Sequence, residues 1–229
     1  MGYDLVKMLR KQLEKKIHSI EPMAVLDSKQ FLWVKSVEKA YAEIRKEAEE
    51  VLKQIDNIID FDAVLPDQRA LYQGNYWKSF FLKALGEDVL EHQNICPNTT
   101  RALKNIPGVI NAFFSILKPG AYIPPHRGPY AGILRYHLGI IIPQGDVGIK
   151  VNGQLFYWKE GESLFFDDSF EHEVWNRTGS KRVILFVDLV RPLPKALSVL
   201  NNIMLFAFKS TKTAKLAREK VMNTQIASK

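Results

Sequence analysis

Two histidines stand beside turns that bound apolar, strand-like segments. His126 lies in Pro124-Pro125-His126-Arg127-Gly128-Pro129 and His172 in Phe170-Glu171-His172-Glu173-Val174-Trp175. A closed β barrel brings residues this far apart in sequence to one interior. Imidazole is a good ligand for non-haem iron, so the pair is a candidate metal site. Two hydrogen-bonded loop histidines fit the same spacing, and spacing alone leaves both readings open. Two predicted strands, 133–142 and 181–190, add charge. On the first, Arg135 and His137 share a face opposite Leu134, Tyr136 and Leu138; on the second, Arg182, Ile184 and Phe186 lie opposite Val183, Leu185 and Val187. An arginine flanked by apolar residues is costly to bury without an anion, and a carboxylate ligand would satisfy it through paired hydrogen bonds. The alternative is an edge-strand arginine in solvent.

The elements that must position these residues change character along the chain. Residues 1–20 alternate Lys and Arg with Leu, Val, Met and Ile at helical spacing, up to Pro22. Ser28 is the expected cap of a helix over 29–57, with Phe31, Val34, Val37, Ala40, Tyr41, Ile44, Ala48 and Leu52 as its apolar stripe. Pro66, Asp67 and Gly74 mark 58–75 as loop, an aromatic strand-like piece follows at 76–84, and a short helix is expected near 99–105. From residue 109, short apolar runs are punctuated by Lys118-Pro119-Gly120, Pro143-Gln144-Gly145-Asp146, Asn152-Gly153 and Lys159-Glu160-Gly161. Asn152-Gly153 predicts a hairpin, because a type I′ turn needs positive φ at both central residues. The fold class is therefore mainly β, a jelly-roll or cupin-like barrel. The expected division is a helical N-terminal region (1–108) packing on the barrel, a β core (109–194), and a basic amphipathic tail (195–229).

Composition bounds the rest. The 229 residues are 46% hydrophobic and 11% aromatic, enough for a sizeable core. The lone Cys96 excludes an internal disulfide and a cysteine zinc cluster, and predicts a reduced, cytoplasmic setting. The formal net charge of +7 is localised. From residue 195 onward seven Lys and Arg face only Glu219, a net +6, which leaves +1 for residues 1–194. A basic surface spread over the domain, as nucleic-acid binding requires, is not expected.

Four segments together resemble the aspartyl/asparaginyl β-hydroxylase family. They are Ala112-Phe113-Phe114-Ser115 through Leu117-Lys118-Pro119-Gly120, Pro125 to Pro129, Leu134 to Gly139, and Phe166 to Trp175. Weaker similarity around Trp77, Cys96-Pro97 and Ile106-Pro107-Gly108 extends the resemblance to about residues 30–192. It implies an iron(II)- and 2-oxoglutarate-dependent oxygenase with a double-stranded β-helix fold, which consumes O2 and 2-oxoglutarate, releases succinate and carbon dioxide, and hydroxylates a substrate. It also implies roles: His126 and His172 as iron ligands, Arg182 and Ser115 on the distal carboxylate of 2-oxoglutarate, and Arg135 with His137 lining the cosubstrate and substrate pocket. Where many such oxygenases carry a metal-binding carboxylate two residues after the first histidine, this chain has Gly128. Asp167 and Asp168 are the nearest acids, expected as supporting groups rather than as a third ligand.

The family name points to an aspartyl or asparaginyl residue of a peptide or protein as substrate. The alternative is the acyl chain of a membrane lipid, and a third reading is a non-catalytic, cupin-like binding protein. Residues 195–208, rich in Leu, Ile, Val, Met and Phe, precede a basic run to Lys220. The segment 195–220 either touches an anionic membrane surface from the inner face or packs its apolar side on the barrel.

Overall fold

The computed structural model describes residues 2–64 and 76–224. In chain order the elements are α1 (Gly2–Ile20), β1 (Val25–Leu26), α2 (Val34–Lys39), α3 (Tyr41–Leu52), α4 (Phe61–Val64), β2 (Trp77–Ala84), β3 (Glu87–Asp88), α5 (Leu90–Ile95) and α6 (Pro97–Leu103). The barrel strands follow: β4 (Val109–Leu117), β5 (Tyr122–His126), β6 (Ile133–Ile141), β7 (Val147–Val151), β8 (Gln154–Phe156), β9 (Ser163–Phe166), β10 (His172–Asn176) and β11 (Arg182–Val190). Helices α7 (Lys195–Lys209) and α8 (Lys212–Met222) close the chain.

The strands form a seven-stranded sheet, β1-β9-β6-β11-β4-β2-β3, and a four-stranded sheet, β5-β10-β7-β8. The expected double-stranded β-helix is thus present. At the predicted hairpin Asn152 and Gly153 both have positive φ, 48° and 81°.

Period-two alternation sorts the large sheet into two faces. Ala112, Phe114 and Ile116 of β4, Leu134, Tyr136 and Leu138 of β6, and Val183, Leu185 and Val187 of β11 pack outward against α2, α3 and α6. Phe113 and Leu117, with Ile184 and Phe186, point into the barrel against Ile123, Ile149 and Val174 of the small sheet. Ser115, Arg135, His137 and Arg182 have the inward parity. A third cluster joins α1 (Leu13, Ile17) to α7 (Leu205).

Three expectations about the first hundred residues need correction. The helix over 29–57 is broken: a 3-10 turn at Ser28–Gln30 is capped by Asp27, not Ser28, and Ala40 separates α2 from α3. The aromatic side chains cause the break. Phe31 stacks on Phe165 at 4.2 Å and Trp33 packs edge-on to Tyr136 at 5.1 Å, and residues two apart on a helix cannot both face one sheet. The region before residue 108 is also not only helical, since β1, β2 and β3 belong to the large sheet. Strand β2 adds its apolar residues to both faces, Phe80 and Leu82 outward, Trp77 and Phe81 inward. Finally, α5 was not expected, and α6 starts two residues before the predicted 99. The stretch 65–75, including Pro66, Asp67 and Gly74, lies outside the described residues.

One buried carboxylate ties the helical layer together. Glu47 of α3 accepts hydrogen bonds from Asn98 N (2.7 Å), Asn98 Nδ2 (2.9 Å), Thr99 N (2.8 Å) and Thr99 Oγ1 (2.6 Å). It serves the first turn of α6, where backbone N–H groups lack helical partners. Glu47→Ala removes all four acceptor contacts at once. It is expected to lower stability by about 2–3 kcal/mol, read as a lower urea midpoint at unchanged slope. An unchanged midpoint would show that solvent replaces the carboxylate.

Candidate active site

Antiparallel pairing of β5 and β10 sets His126 directly across from His172, with ring centroids 4.1 Å apart. A register shift follows His172 before Val174, so a bulge sits beside the pair and re-aims the strand locally. Each ring is oriented the same way. His126 Nδ1 lies 2.8 Å from the carbonyl of Pro124, and His172 Nδ1 3.0 Å from that of Phe170. A carbonyl only accepts, so Nδ1 carries the proton and a neutral ring keeps its lone pair on Nε2. Burial favours that neutral form. It pulls His172 down to about 3, helped by the nearby His126 and Arg135, and lowers His126 as well. Two neutral imidazoles with Nε2 lone pairs are in the protonation state that binding a divalent metal requires.

The opposite wall comes from the large sheet. Arg182 pairs across from Leu117 and packs over the Trp158 ring at 4.9 Å. Its Nη1 donates to Ser115 O and Oγ, each at 3.3 Å, and Ser115 Oγ also accepts from Trp77 Nε1 at 2.9 Å. Arg182 is 2% exposed, and burial alone pulls its guanidinium down to about 9. Its Nε is buried with no hydrogen-bond partner. His137 is the same case. Its Nδ1 accepts from Trp158 Nε1 at 3.3 Å, so the neutral ring carries its proton on Nε2, which is buried and unpartnered. Burial, with Arg135 and Arg182 nearby, holds His137 well below its usual range. Two orphan donors therefore share an interior with two neutral histidines.

All six residues singled out from the sequence converge. Ser115, His126, Arg135, His137, His172 and Arg182 line one cavity of about 30 Å³ between the sheets. A larger cavity of about 280 Å³ shares His126, Arg135, Trp77 and Phe186 with it, and runs out to α8.

The two acids near His172 are both paired with arginines. Asp167, fully buried, is ion-paired with the equally buried Arg191 and accepts from Ser169 N (2.9 Å) and Oγ (2.6 Å). Arg191 also reaches Glu21 and Ala131 O, and His18 of α1 sits 3.1 Å from Ser169 Oγ, so α1 and the end of β11 fix the loop before His172. Asp168 Oδ2 pairs with Arg135 Nη2 at 2.8 Å, while Arg135 Nε meets Asp188 Oδ1 at 3.1 Å. Burial raises Asp168 to about 6 against the pull of Arg135. Among the described residues no three His, Cys, Asp or Glu side chains converge as a metal-binding group. Gly128 is required by this arrangement. A Cβ there would stand 2.0 Å from Asp168 Oδ2, so the Asp168 carboxylate occupies the space a side chain at 128 would fill.

Sequence reasoning missed three supporting groups. Trp158 orients His137 and covers Arg182, and no pattern marks it. Asp188 has the parity of Arg182, Ile184 and Phe186, so continuing the strand count by one step puts it on their face; its place beside Arg135 comes from the pairing of β11 with β6. Asn111, which donates to Asp188 Oδ2 at 2.9 Å, follows from parity in the same way.

A family model described as aspartyl/asparaginyl beta-hydroxylase matches residues 38–192. The chain is 46% identical over 173 residues to an ornithine lipid ester-linked acyl 2-hydroxylase of Rhizobium tropici, covering 74% of this chain and 61% of that one. It is 34% identical over 167 residues to the human aspartyl/asparaginyl beta-hydroxylase, covering 69% of this chain and 21% of that one. The chain thus spans less than two thirds of the length of either relative. A Pseudomonas putida prolyl-4-hydroxylase structure aligns over 79% of this chain and all of its own, at 14% identity and a TM-score of 0.45.

Gly128→Ala tests the crowding at the histidine pair. The added methyl must displace the Asp168–Arg135 pair, and we expect a loss of about 1–3 kcal/mol in thermal stability. Gly179, whose Cβ would meet nothing within 4 Å, is the matched control, and Gly179→Ala should melt as the wild type does. Equal melting of the two variants would contradict the packing described.

Proposed function

The chain belongs to the aspartyl/asparaginyl β-hydroxylase family, and on that premise we propose that it is an iron(II)- and 2-oxoglutarate-dependent hydroxylase acting on the acyl chain of a lipid. The observation that carries the catalytic part is the pair of buried, unpartnered donors, Arg182 Nε and His137 Nε2, in the cavity lined by His126 and His172. Buried donors need acceptors, and a dicarboxylate supplies them at both ends of a small molecule. The donor set fits the groups the family uses. His126 and His172 would hold iron through Nε2. Arg182 and Ser115 would take the distal carboxylate of 2-oxoglutarate, with His137 and Arg135 toward its other end.

Together, bound iron(II), 2-oxoglutarate and dioxygen supply the oxidation that converts a substrate C–H to C–OH, with succinate and carbon dioxide as the other products. The protein's own part is placement. Trp158 and Trp77 hold His137 and Ser115 in register and keep bulk water from Arg182. Asp167 and Arg191 fix the loop that presents His172. Arg135, bracketed by Asp168 and Asp188, has its guanidinium plane set before any ligand arrives.

The substrate reading rests on the larger cavity. Its wall is dominated by Phe61, Val64, Phe81, Phe113, Ile133 and Val221. The charged side chains that line it are already engaged: Arg135 with Asp168 and Asp188, and Arg218 with Glu87. An acyl chain fills such a space by burying apolar area, worth roughly 0.8 kcal/mol per methylene. The aspartyl or asparaginyl residue of a peptide is the second reading. The 34% identity to the human relative favours it, and Asn111 and Arg135 give the inner end of the cavity polar groups for a carboxamide or carboxylate.

Two experiments test this reading. Lipid extracts of cells expressing the wild type should contain a species heavier by one oxygen atom, absent with His172→Ala. Unchanged lipids alongside succinate release in a peptide-supplied lysate would favour the second reading; no succinate with any substrate would leave a binding protein. Arg182→Met tests the cosubstrate site apart from turnover. Without 2-oxoglutarate the variant should be as stable as the wild type or more so, because a buried unpaired charge is replaced by an apolar chain. The wild type at 100 times Kd of 2-oxoglutarate should gain about 2.7 kcal/mol, and the variant should gain almost none. Equal stabilisation of both proteins would remove Arg182 from the site.

A further inference from the structure

Helix α7 carries two apolar faces, and the fold uses only one. Its inner face packs on α1: Leu205 is buried with Leu13 and Ile17, and Leu197, Leu200 and Met204 lean on the same cluster. The outer face holds Val199, Ile203 and Phe206, which are 61%, 54% and 74% exposed. At 3.6 residues per turn these three positions fall on one narrow stripe, with Lys195 one turn before them on the same side. Beyond the stripe, α8 exposes Leu216 together with Lys212 and Lys215. The whole tail from residue 195 has a net charge of +6, with Glu219 its one acid.

The same helices wall the larger cavity. Phe208 at the end of α7 and Thr213, Ala214, Ala217 and Val221 of α8 line it together with His126 and Arg135. Phe208 and Thr213, which flank the α7–α8 turn, are exposed as well, as is the lining residue Pro129 beside His126.

We propose that the outer face of α7 seats the protein on an anionic lipid bilayer, with the α7–α8 turn as the place where an acyl chain passes from the bilayer into the cavity. The passage of the chain rests on the acyl-chain reading above; the docking stands on α7 alone. Charge selects the occupant. A second copy of this chain docked on the same stripe would bring two tails of net charge +6 together, each with Glu219 as its one acid, a repulsive arrangement. An anionic bilayer instead accepts the Val, Ile and Phe side chains into its interface and the lysines at its headgroups. Among the described residues no helix is long and apolar enough to cross a membrane, so the docking proposed is peripheral.

The test is flotation of the full chain with phosphatidylglycerol vesicles and with phosphatidylcholine vesicles, beside a Val199→Ser/Ile203→Ser/Phe206→Ser variant. The wild type should float with phosphatidylglycerol, release as salt is raised, and bind phosphatidylcholine weakly. The triple variant should lose binding by about tenfold or more, while hydroxylating detergent-dispersed lipid at the wild-type rate. That retained rate shows the variant is folded. Equal binding to both vesicle types, or no effect of the three serines, overturns the proposal. A wild-type dimer that the serines dissolve, without vesicle binding, assigns the stripe to a second copy and overturns it too. Flotation without lipid hydroxylation overturns the substrate reading and leaves the docking; hydroxylation of dispersed lipid without flotation does the reverse.

Discussion

A guanidinium buried without an anion is the constraint around which this barrel is organised. Arg182 stands 2% exposed between two sheets with one long contact pair to Ser115 and an indole ring beneath it. Stripping a cation of water costs on the order of several kcal/mol, and a cation–π contact returns only about 0.5–2 kcal/mol. No apolar residue of similar size would carry that cost, so the arginine makes sense as half of an ion pair whose other half is a ligand. The neutral histidines share the same origin. The apolar interior that strains Arg182 is what holds His126, His137 and His172 unprotonated.

Arg135 shows the opposite solution to the same problem. It is less buried, its side chain 17% exposed, and it is flanked by Asp168 and Asp188, so its charge is balanced before any ligand binds. The difference divides labour. Arg182 offers unspent hydrogen-bonding capacity, while Arg135 contributes a fixed edge where the two cavities meet. Gly128 is part of that edge, because the Asp168 carboxylate stands where its side chain would be. The missing carboxylate noted in the sequence is thus replaced in space by an acid from the neighbouring loop, turned toward arginine.

Most of the site was legible because strand alternation is rigid. Once residues 133–142 and 181–190 read as strands, the shared face of Arg135 with His137 and that of Arg182 with Ile184 and Phe186 followed; that these faces and the two turn-flanking histidines turn inward came from the family resemblance, not from alternation. The helical layer was less legible. The stripe from Phe31 to Leu52 is periodic enough to read as one helix, but packing of Phe31 and Trp33 on the sheet outweighs the helix propensity between them. Strand β2 was recognised, yet its place beside β4 was not, because pairing partners far apart in sequence leave no local mark. Trp158, Asp168 and Arg191 act through contacts of the same long-range kind. The tail was readable as two alternatives, and the structure shows the packing one: α7 buries one face with α1 and leaves Val199, Ile203 and Phe206 exposed.

The central claim is that Arg182 and the histidine pair form one site for a metal and a dicarboxylate. A crystal structure of the protein with iron(II) and 2-oxoglutarate under anaerobic conditions tests it most directly. The account predicts metal between the Nε2 atoms of His126 and His172, and a carboxylate on Arg182 Nε and Ser115 Oγ, with His137 Nε2 newly partnered. Metal bound away from the two histidines, or a cosubstrate carboxylate on Arg135 with Arg182 still unpaired, would contradict it.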